Sequence, residues 1–199
     1  MPLKALTANP NQRIGLLGGS FDPPHAGHLH ITYWALNRLA LDQVWWIVSP
    51  GNPLKARGPA DMDRRLAACR ALVTHPRVRV SDVERHLNTR YTADTLAVLA
   101  DRLGGGRFVW LMGADNLASF HRWERWNWIA EHFPIGVLSR PGGQLRAGLS
   151  PMARRYASYR LPEPRAGELG HGIAPQWVLL TGPMSDQSST AIRTKGQWP

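Results

Sequence analysis

The chain of 199 residues is poor in cysteine, in long apolar runs and in acidic side chains. Its single cysteine, Cys69, excludes an internal disulfide and any CxxC pair for zinc or redox chemistry, and its apolar-patterned segment predicts a packing role. No apolar run approaches the roughly 20 residues of a membrane-spanning helix. Residues 1–13 are polar and contain Pro2 and Pro10 where a signal peptide has its apolar segment. We therefore expect a cytosolic protein with no membrane partner.

Acidic residues number 14 against 24 lysines and arginines, so the formal net charge is +10. A charge of this sign indicates either contact with a nucleic-acid backbone or attraction of a small polyanionic substrate. The basic residues are dispersed, with short pairs at Arg64-Arg65 and Arg154-Arg155 and no basic tail. This dispersion favours the small polyanion, and a basic nucleic-acid-binding module is the less favoured alternative.

Apolar runs rich in β-branched and aromatic residues alternate with amphipathic stretches. The runs predict strands at 14–17, 44–48, 78–80, 108–112, 135–138 and 177–180. The stretches between them predict helices at 29–40, 62–73, 93–103, 123–133 and 152–159. This alternation predicts an α/β fold with a doubly wound parallel sheet, whose strands are buried on both faces.

The length suits a single domain over residues 1–199, which can bury roughly 70% of the surface of the unfolded chain. The segment at about 140–176 is rich in proline, glycine and arginine and interrupts the alternation. We expect it to form a surface excursion within that domain, and a flexible loop is the alternative.

A glycine turn joins the first predicted strand to the first predicted helix. It reads Gly18-Gly19-Ser20-Phe21-Asp22-Pro23-Pro24-His25-Ala26-Gly27-His28-Leu29. Glycine lets a backbone approach a ligand closely, and the first amides of a helix point outward, so the turn suits phosphate. His25 and His28 lie three positions apart, so their ring N–H groups can converge on one polyphosphate. The alternative is a plain connector with two surface histidines.

Other phosphate and metal patterns fit this turn less well. The chain has no G-x-x-x-x-G-K-[ST], and the glycines of the turn lack the spacing of G-x-G-x-x-G. A zinc site at His25, His28 and His30 is disfavoured, because only Asp22 lies near as a further ligand. We predict no metal bound by these side chains.

A second motif follows the last predicted strand. Three consecutive hydroxyl residues, Ser188 to Thr190, precede Arg193 by about one helical turn. Hydroxyls, helix amides and a cation suit phosphate, although serine and threonine are also ordinary helix caps. A triphosphate held from two sides needs both motifs in one crevice, so we expect the two segments to lie together.

These motifs resemble those of the nucleotidyltransferase superfamily. Residues 19–29 are similar to its GxFDPxHxGHL signature, and residues 188–193 to its SSTxIR element. Within the superfamily the chain most resembles the bacterial nicotinate mononucleotide adenylyltransferases, in order over nearly its whole length. The further matching segments are Pro50 to Lys55, Arg90 to Leu96, Met112 to Leu117, Trp123 and Ser139 to Gly142. The resemblance implies a Rossmann-like sheet of the nucleotidyltransferase type.

The resemblance also implies an activity. Members of this adenylyltransferase family transfer AMP from ATP to nicotinate mononucleotide, which gives deamido-NAD and pyrophosphate in NAD biosynthesis. The same chemistry on nicotinamide mononucleotide or another phosphate acceptor is the alternative. Mg²⁺, carried mainly by the ATP phosphates, is the implied cofactor. The sequence leaves open whether the chain forms a homo-oligomer.

The resemblance assigns His25, His28 and Arg193 as catalytic residues, with His28 near the reacting α-phosphate. The ATP site comprises these three together with Gly19, Ser20, Phe21, Gly113, Asp115, Ser188, Ser189 and Thr190. In this site Asp115 binds the ribose hydroxyls. An N-cap role for Asp115 is the structural alternative, and the two roles are compatible.

The acceptor site implied by the resemblance comprises Asn52, Lys55, Tyr91, Thr92 and Trp123. Trp123 stacks on the pyridine ring, but two more tryptophans follow within five residues, so core packing is the alternative. Tyr91 and Thr92 open a predicted helix whose positive dipole end favours a carboxylate over a neutral amide. Asn52 and Lys55 suit the acceptor phosphate, and solvated loop positions are their alternative.

The chain departs from the family pattern near its second motif. Gln187 stands where the family usually has an apolar residue, and six residues follow Arg193, fewer than usual. A helix this short is marginal by itself. We therefore expect tertiary packing, or ATP itself, to hold it in place.

Overall fold

In the computed structural model, residues 6–51, 58–139, 147–182, 189–196 and 198 are described. Seven strands in these ranges form one sheet: β1 Arg13–Gly19, β2 Gln43–Val48, β3 Val78–Ser81, β4 Arg107–Gly113, β5 Ile135–Ser139, β6 Arg160–Leu161 and β7 Trp177–Thr181. The strand order is β3-β2-β1-β4-β5-β7-β6, and every pair is parallel. The six predicted strands and the doubly wound parallel sheet are confirmed, and β6 is an addition that the sequence pattern did not predict.

Helices connect the strands. They are α1 Ala26–Arg38, α2 Met62–Leu72, α3 Val83–Leu87, α4 Thr92–Arg102, α5 Ala114–Ser119, α6 Trp126–His132, α7 Pro151–Arg155 and α8 Ser189–Thr194. The predicted helix at 123–133 begins only at Trp126, because Trp123 is extended and Arg125 has a left-handed backbone with φ of 52°. The predicted helix at 152–159 is divided into α7 and a 3₁₀ turn at Ala157–Tyr159.

Each face of the sheet carries its own apolar cluster. Leu16, Trp45 and Trp110 pack on one face, while their neighbours Leu17 and Trp46 pack on the other. Successive side chains of a strand point to opposite faces, so continuous apolar runs bury residues on both. The thiol of Cys69 is buried in the second cluster, and burial raises its pKa to about 12. The thiol therefore stays protonated and serves packing, as predicted.

Part of the segment predicted as a surface excursion packs into both clusters. Met152 and Tyr156 are buried in the first cluster, and Leu161 and Leu169 in the second. The indole N–H of Trp177 donates to the Tyr156 carbonyl at 2.8 Å, which ties the segment to β7. The described residues 147–176 thus contribute to the packed body of the molecule. None of the described helices is long and apolar enough to cross a bilayer.

Strand order reverses between β1 and β4, which lie side by side at the centre of the sheet. Ligands of open parallel sheets bind outside the carboxyl ends of the strands at such a point. Gly18 near the end of β1 leaves room for the Trp110 ring of β4, which would overlap a Cβ there. The glycine turn and Gly113 therefore flank one crevice.

Candidate active site

A cavity of about 510 Å³ opens at the carboxyl ends of β1 and β4. Many residues singled out from the sequence line it: Gly19, Ser20, Phe21, His25, His28, Tyr91, Thr92, Gly113, Asp115, Trp123, Ser189 and Thr190. Arg193 lies outside this lining, and Asn52, Lys55 and Ser188 lie outside the described residues. The structure therefore gathers both motifs and part of the expected acceptor site around one space.

The two histidines of the turn are held by backbone N–H donors. His25 precedes α1 as its N-cap and accepts from the Gly27 N–H through Nδ1 at 3.1 Å. His28 Nδ1 accepts from the His25 N–H at 3.2 Å, and the ring centroids are 4.0 Å apart. A neutral imidazole that accepts at Nδ1 carries its hydrogen on Nε2. These bonds assign Nε2 of both rings as a donor.

Phe21 makes the bend between strand and helix. Its φ of 47° is left-handed, which is uncommon for a residue with a side chain. Its buried ring stacks on Trp46 at 4.7 Å between centroids and lies 4.7 Å from the ring of His28. The aromatic packing holds this backbone conformation and supports one side of the His28 ring.

The second motif docks directly on the first. Ser189 Oγ donates to the Pro23 carbonyl at 2.9 Å. The Arg193 guanidinium donates to the Asp22 carbonyl and lies 3.5 Å from its carboxylate. Arg193 also donates to Thr190 Oγ1 at 3.4 Å. The two segments share one crevice, and Arg193 faces Asp22.

Arg65 ties the strand ends that surround the crevice. Its side chain is 1% exposed and donates to the carbonyls of Ala60, Ser20 and Ser49, each at 2.7 Å. Desolvation lowers the pKa of this guanidinium from its ordinary value. Sequence analysis noted Arg65 only as half of a basic pair, since the spacing of one arginine carries no sign of burial.

The clustered tryptophans have different surroundings. Trp123 lines the cavity and packs edge-on against Trp110 and Phe120, with centroids 6.2 and 5.3 Å apart. Trp126 packs against Phe120 at 6.0 Å, and Trp128 lies outside the cavity lining. All three tryptophans also pack against the first apolar cluster. Core packing and cavity lining therefore coincide at Trp123.

Asp115 is the second residue of α5 and is not its N-cap, so that structural alternative is wrong. Gly113 occupies the N-cap position, with an extended backbone and no side chain to accept a bond. The Asp115 carboxylate folds back over it, since a Cβ built on Gly113 would lie 2.5 Å from Asp115 Oδ1. Glycine at position 113 leaves the space in which Asp115 faces the cavity.

Glu84 is a cavity residue that sequence analysis missed. Its side chain is nine-tenths or more buried and accepts from Thr95 Oγ1 at 3.1 Å. Thr95 Oγ1 also lies 2.8 Å from Thr89 Oγ1, so the network joins α3 to the first turn of α4. Burial raises the pKa of Glu84 to about 7. The only sequence signal was an acidic residue shortly after a predicted strand.

Four further polar or charged residues of the lining were not assigned to the site from the sequence: Arg90, Asn116, Arg122 and Glu124. Arg90 and Arg122 are the chain neighbours of Tyr91 and Trp123 and add positive charge to the lining. Within the described ranges, no group of three His, Cys, Asp or Glu side chains could hold a metal ion. The lining residues from the two motifs include two imidazoles and two hydroxyls in the described part of the chain: His25, His28, Ser189 and Thr190.

The chain is similar in sequence to several known proteins. The sequence model of the cytidylyltransferase-like family matches residues 16–195. A probable nicotinate-nucleotide adenylyltransferase of Cereibacter sphaeroides is 63% identical over 185 residues, which are 93% of this chain and 98% of that protein. A protein of the same description from Ruegeria pomeroyi is 57% identical over 191 residues, 96% of this chain and 90% of its own length.

Among solved structures, the fold is similar to that of Plasmodium falciparum nicotinic acid mononucleotide adenylyltransferase complexed with NaAD. The TM-score is 0.66, and the match covers 91% of this chain and 82% of the other. Sequence identity is 16%, so this likeness concerns the fold.

Proposed function

Because the chain belongs to the cytidylyltransferase-like family, and within it to the nicotinate-nucleotide adenylyltransferases, we propose that it transfers AMP from ATP to nicotinate mononucleotide. The products are deamido-NAD and pyrophosphate. The observation that carries the proposal is one cavity lined by His25, His28 and Ser189 as well as by Trp123 and Thr92. This cavity offers hydrogen-bond donors for phosphate and a flat aromatic surface within the same crevice.

The reaction needs little proton transfer. An oxygen of the acceptor phosphate attacks the α-phosphorus of ATP, and the bond from that phosphorus to the bridging oxygen breaks to release pyrophosphate. The second pKa of a phosphate monoester is near 6, so the nucleophile is mostly dianionic at pH 7. Positioning and charge stabilisation therefore dominate the catalysis, which suits a site built from donors.

His25 and His28 present Nε2 donors to the triphosphate, and His28 acts closest to the α-phosphate. Thr190 donates its hydroxyl to the outer phosphates, and Ser189 does so by exchanging its bond to the Pro23 carbonyl, because a hydroxyl has one hydrogen to donate. Arg193 joins them by exchanging its contact with the Asp22 carbonyl for a phosphate oxygen. This assignment is supported by the docking of α8 on the turn, where Ser189 bonds to the Pro23 carbonyl. Ser188 is assigned to the same group by family resemblance.

The adenosine lies over the ends of β1 and β4. The backbone of Gly19, Ser20 and Phe21 borders it on one side. Asp115, which folds back over Gly113, accepts from the ribose hydroxyls.

The nicotinate ring stacks on Trp123, and its carboxylate faces Tyr91 and Thr92 at the start of α4. The helix dipole is positive there and favours an anion over a neutral amide. Arg90 and Arg122 in the cavity wall favour the same choice by charge. Asn52 and Lys55 are assigned to the acceptor phosphate by family resemblance.

Magnesium fits this site as a companion of ATP. The two motifs contribute imidazoles and hydroxyls to the cavity lining, and they contribute no cluster of carboxylate ligands in the described part of the chain. This lining suits an ion that is coordinated mainly by phosphate oxygens and water. When bound, Mg²⁺ neutralises charge that develops on the leaving pyrophosphate.

Release of pyrophosphate from ATP and Mg²⁺ tests the proposal, with nicotinate mononucleotide and nicotinamide mononucleotide as separate acceptors. We expect the acid to be the better acceptor by at least about tenfold in kcat/KM, because its carboxylate meets a positive helix end. A preference for the amide would reassign the acceptor. Absence of pyrophosphate with either pyridine mononucleotide would refute the function. A single domain and a cytoplasmic location remain predictions from the sequence.

A further inference from the structure

Trp198 lies against the glycine turn although it is remote in sequence. Its indole N–H donates to Asp22 Oδ1 at 2.7 Å. The Arg64 guanidinium lies over the Trp198 ring, 4.2 Å from its centroid. Trp198 thus joins a residue of the turn to a residue of α2, through a hydrogen bond to a carboxylate and a cation–π contact.

Asp22 also receives the helix that precedes Trp198. Arg193 of α8 donates to its carbonyl and lies 3.5 Å from its other carboxylate oxygen. The Asp22 side chain is 10% exposed, so these contacts are largely shielded from water. Asp22 therefore links the turn both to α8 and to Trp198.

Apolar packing does little to hold α8. The helix spans Ser189–Thr194, and none of its described residues is buried. Six residues make a marginal helix in isolation, so its position depends on tertiary contacts. Those contacts are the bonds of Ser189 and Arg193 to the turn, with Trp198 beyond the end of the helix.

We propose that Trp198 is a positioning residue for the triphosphate: by docking on Asp22 and Arg64, it holds α8 where Ser189 and Thr190 face the same phosphates as His25 and His28. The inference rests on the ATP site of the proposed function. When α8 is already in place before ATP binds, no binding free energy is spent on ordering the helix, and ATP binds more tightly. Trp198 itself touches no reacting atom.

The test compares ATP with AMP, because AMP lacks the outer phosphates that α8 would hold. Calorimetric titration with no acceptor present measures both dissociation constants for the wild type, Trp198→Phe and Trp198→Ala. We expect Trp198→Ala to weaken ATP binding by about tenfold and AMP binding by less than about twofold. Trp198→Phe keeps a ring for Arg64 but loses the N–H donor, so an intermediate loss is expected.

Trp128 provides a matched control. It too carries an arginine over its ring, Arg125 at 4.8 Å, but it lies outside the cavity lining and packs against His132. Trp128→Phe should leave both dissociation constants unchanged. In steady state, Trp198→Ala should raise KM for ATP by about tenfold and leave KM for the acceptor within about twofold.

Equal weakening of ATP and AMP by Trp198→Ala would show a general structural role and overturn the inference. Unchanged ATP affinity in that variant would overturn it as well. Neither result touches the proposed function, which fails instead if the wild type binds ATP but forms no dinucleotide. A wild type that does not bind ATP would refute both.

Discussion

At the scale of single residues, the histidines of the turn cap the first helix and are also the proposed phosphate donors. His25 Nδ1 accepts from the Gly27 N–H of α1, and His28 Nδ1 accepts from the N–H of the N-cap residue His25, in the manner of a capping box. The same bonds orient Nε2 as a donor. If the proposed role is right, substitution of either ring changes helix capping and ligand binding at once, and the two effects need separate measurements.

His28→Ala and His28→Asn separate these effects. Asparagine can still accept the His25 N–H but lacks the Nε2 donor, whereas alanine has neither group. We expect both variants to lose about 10²- to 10³-fold in kcat, the usual effect of removing one donor to a developing charge. Only His28→Ala should also lose about 1 kcal/mol of stability in urea unfolding. Turnover within about threefold of wild type in His28→Asn would exclude the catalytic role.

The buried carboxyl of Glu84 predicts a dependence of stability on pH. Its pKa is raised by burial from 4.5 to about 7, so the folded protein retains a proton that the unfolded chain loses at lower pH. Stability contributed by this group is present below the unfolded pKa and is lost as pH rises towards 7. Integration between pH 5 and pH 8 gives a loss of about 2–3 kcal/mol in the free energy of unfolding.

Glu84→Gln should remove this dependence, because the amide cannot ionise and still offers an oxygen to Thr95 Oγ1. Urea unfolding at pH 5 and pH 8 measures it, with the exposed Glu124→Gln as the matched control. Glu84→Gln should be more stable than the wild type mainly at pH 8, whereas Glu124→Gln should keep the pH dependence of the wild type. An equal difference at both pH values would contradict a raised pKa of Glu84.

At the scale of elements, a single guanidinium joins the end of β1 to the end of β2. Arg65 of α2 donates to the carbonyls of Ser20 and Ser49, which follow these strands, and to Ala60. Its planar fork carries donors on separate nitrogens, Nε towards Ala60 and Nη1 towards the two serines, a spread that the single nitrogen of an ammonium group does not match. The mouth of the crevice therefore depends on a contact between elements that lie apart in sequence.

Arg65→Lys should destabilise the protein by about 2–3 kcal/mol, because buried carbonyls lose their donors. The exposed Arg70 of the same helix supplies the control, and Arg70→Lys should change stability by less than about 0.5 kcal/mol. Chemical denaturation of both variants measures the difference. Equal stability of the two would show that the Arg65 bonds contribute little.

At the scale of the whole molecule, the formal net charge of +10 acts at a distance on an anionic substrate. Long-range attraction speeds association and is screened by salt over about 8 Å at physiological ionic strength. The nucleic-acid alternative invokes the same charge but predicts steep, salt-sensitive binding to duplex. Family membership and the cavity favour the small polyanion.

Raising sodium chloride from about 0.05 to 0.3 M should lower kcat/KM for ATP several-fold, chiefly through KM. Sucrose at matched osmolarity controls for bulk solvent effects and should leave kcat/KM near its starting value. Salt-independent kcat/KM would exclude electrostatic steering. Gel shift of duplex DNA at both salt concentrations tests the nucleic-acid alternative, for which we expect no retained complex.

The pattern of apolar and turn residues along the chain was enough to predict the parallel sheet, its six main strands and the position of the two motifs. Strand periodicity and turn residues reflect backbone preference and burial within a few positions of the chain, so they can be recognised without knowing the tertiary structure. Helix boundaries were less accurate, as at Trp126, because a left-handed residue before it depends on its surroundings. Placement of the motifs at strand ends also followed from topology rules for parallel sheets.

The burial of Glu84, the hydrogen bonds of Arg65 and the docking of Trp198 could be recognised only from the tertiary structure. Trp198 meets Asp22 across 176 positions of the chain, and Arg65 meets Ser20 across 45. No periodicity or spacing encodes such pairs, because they arise when separate elements pack and leave particular side chains facing each other. The chemical groups of the site could be read from the amino acids, whereas their protonation and support depend on packing between distant segments.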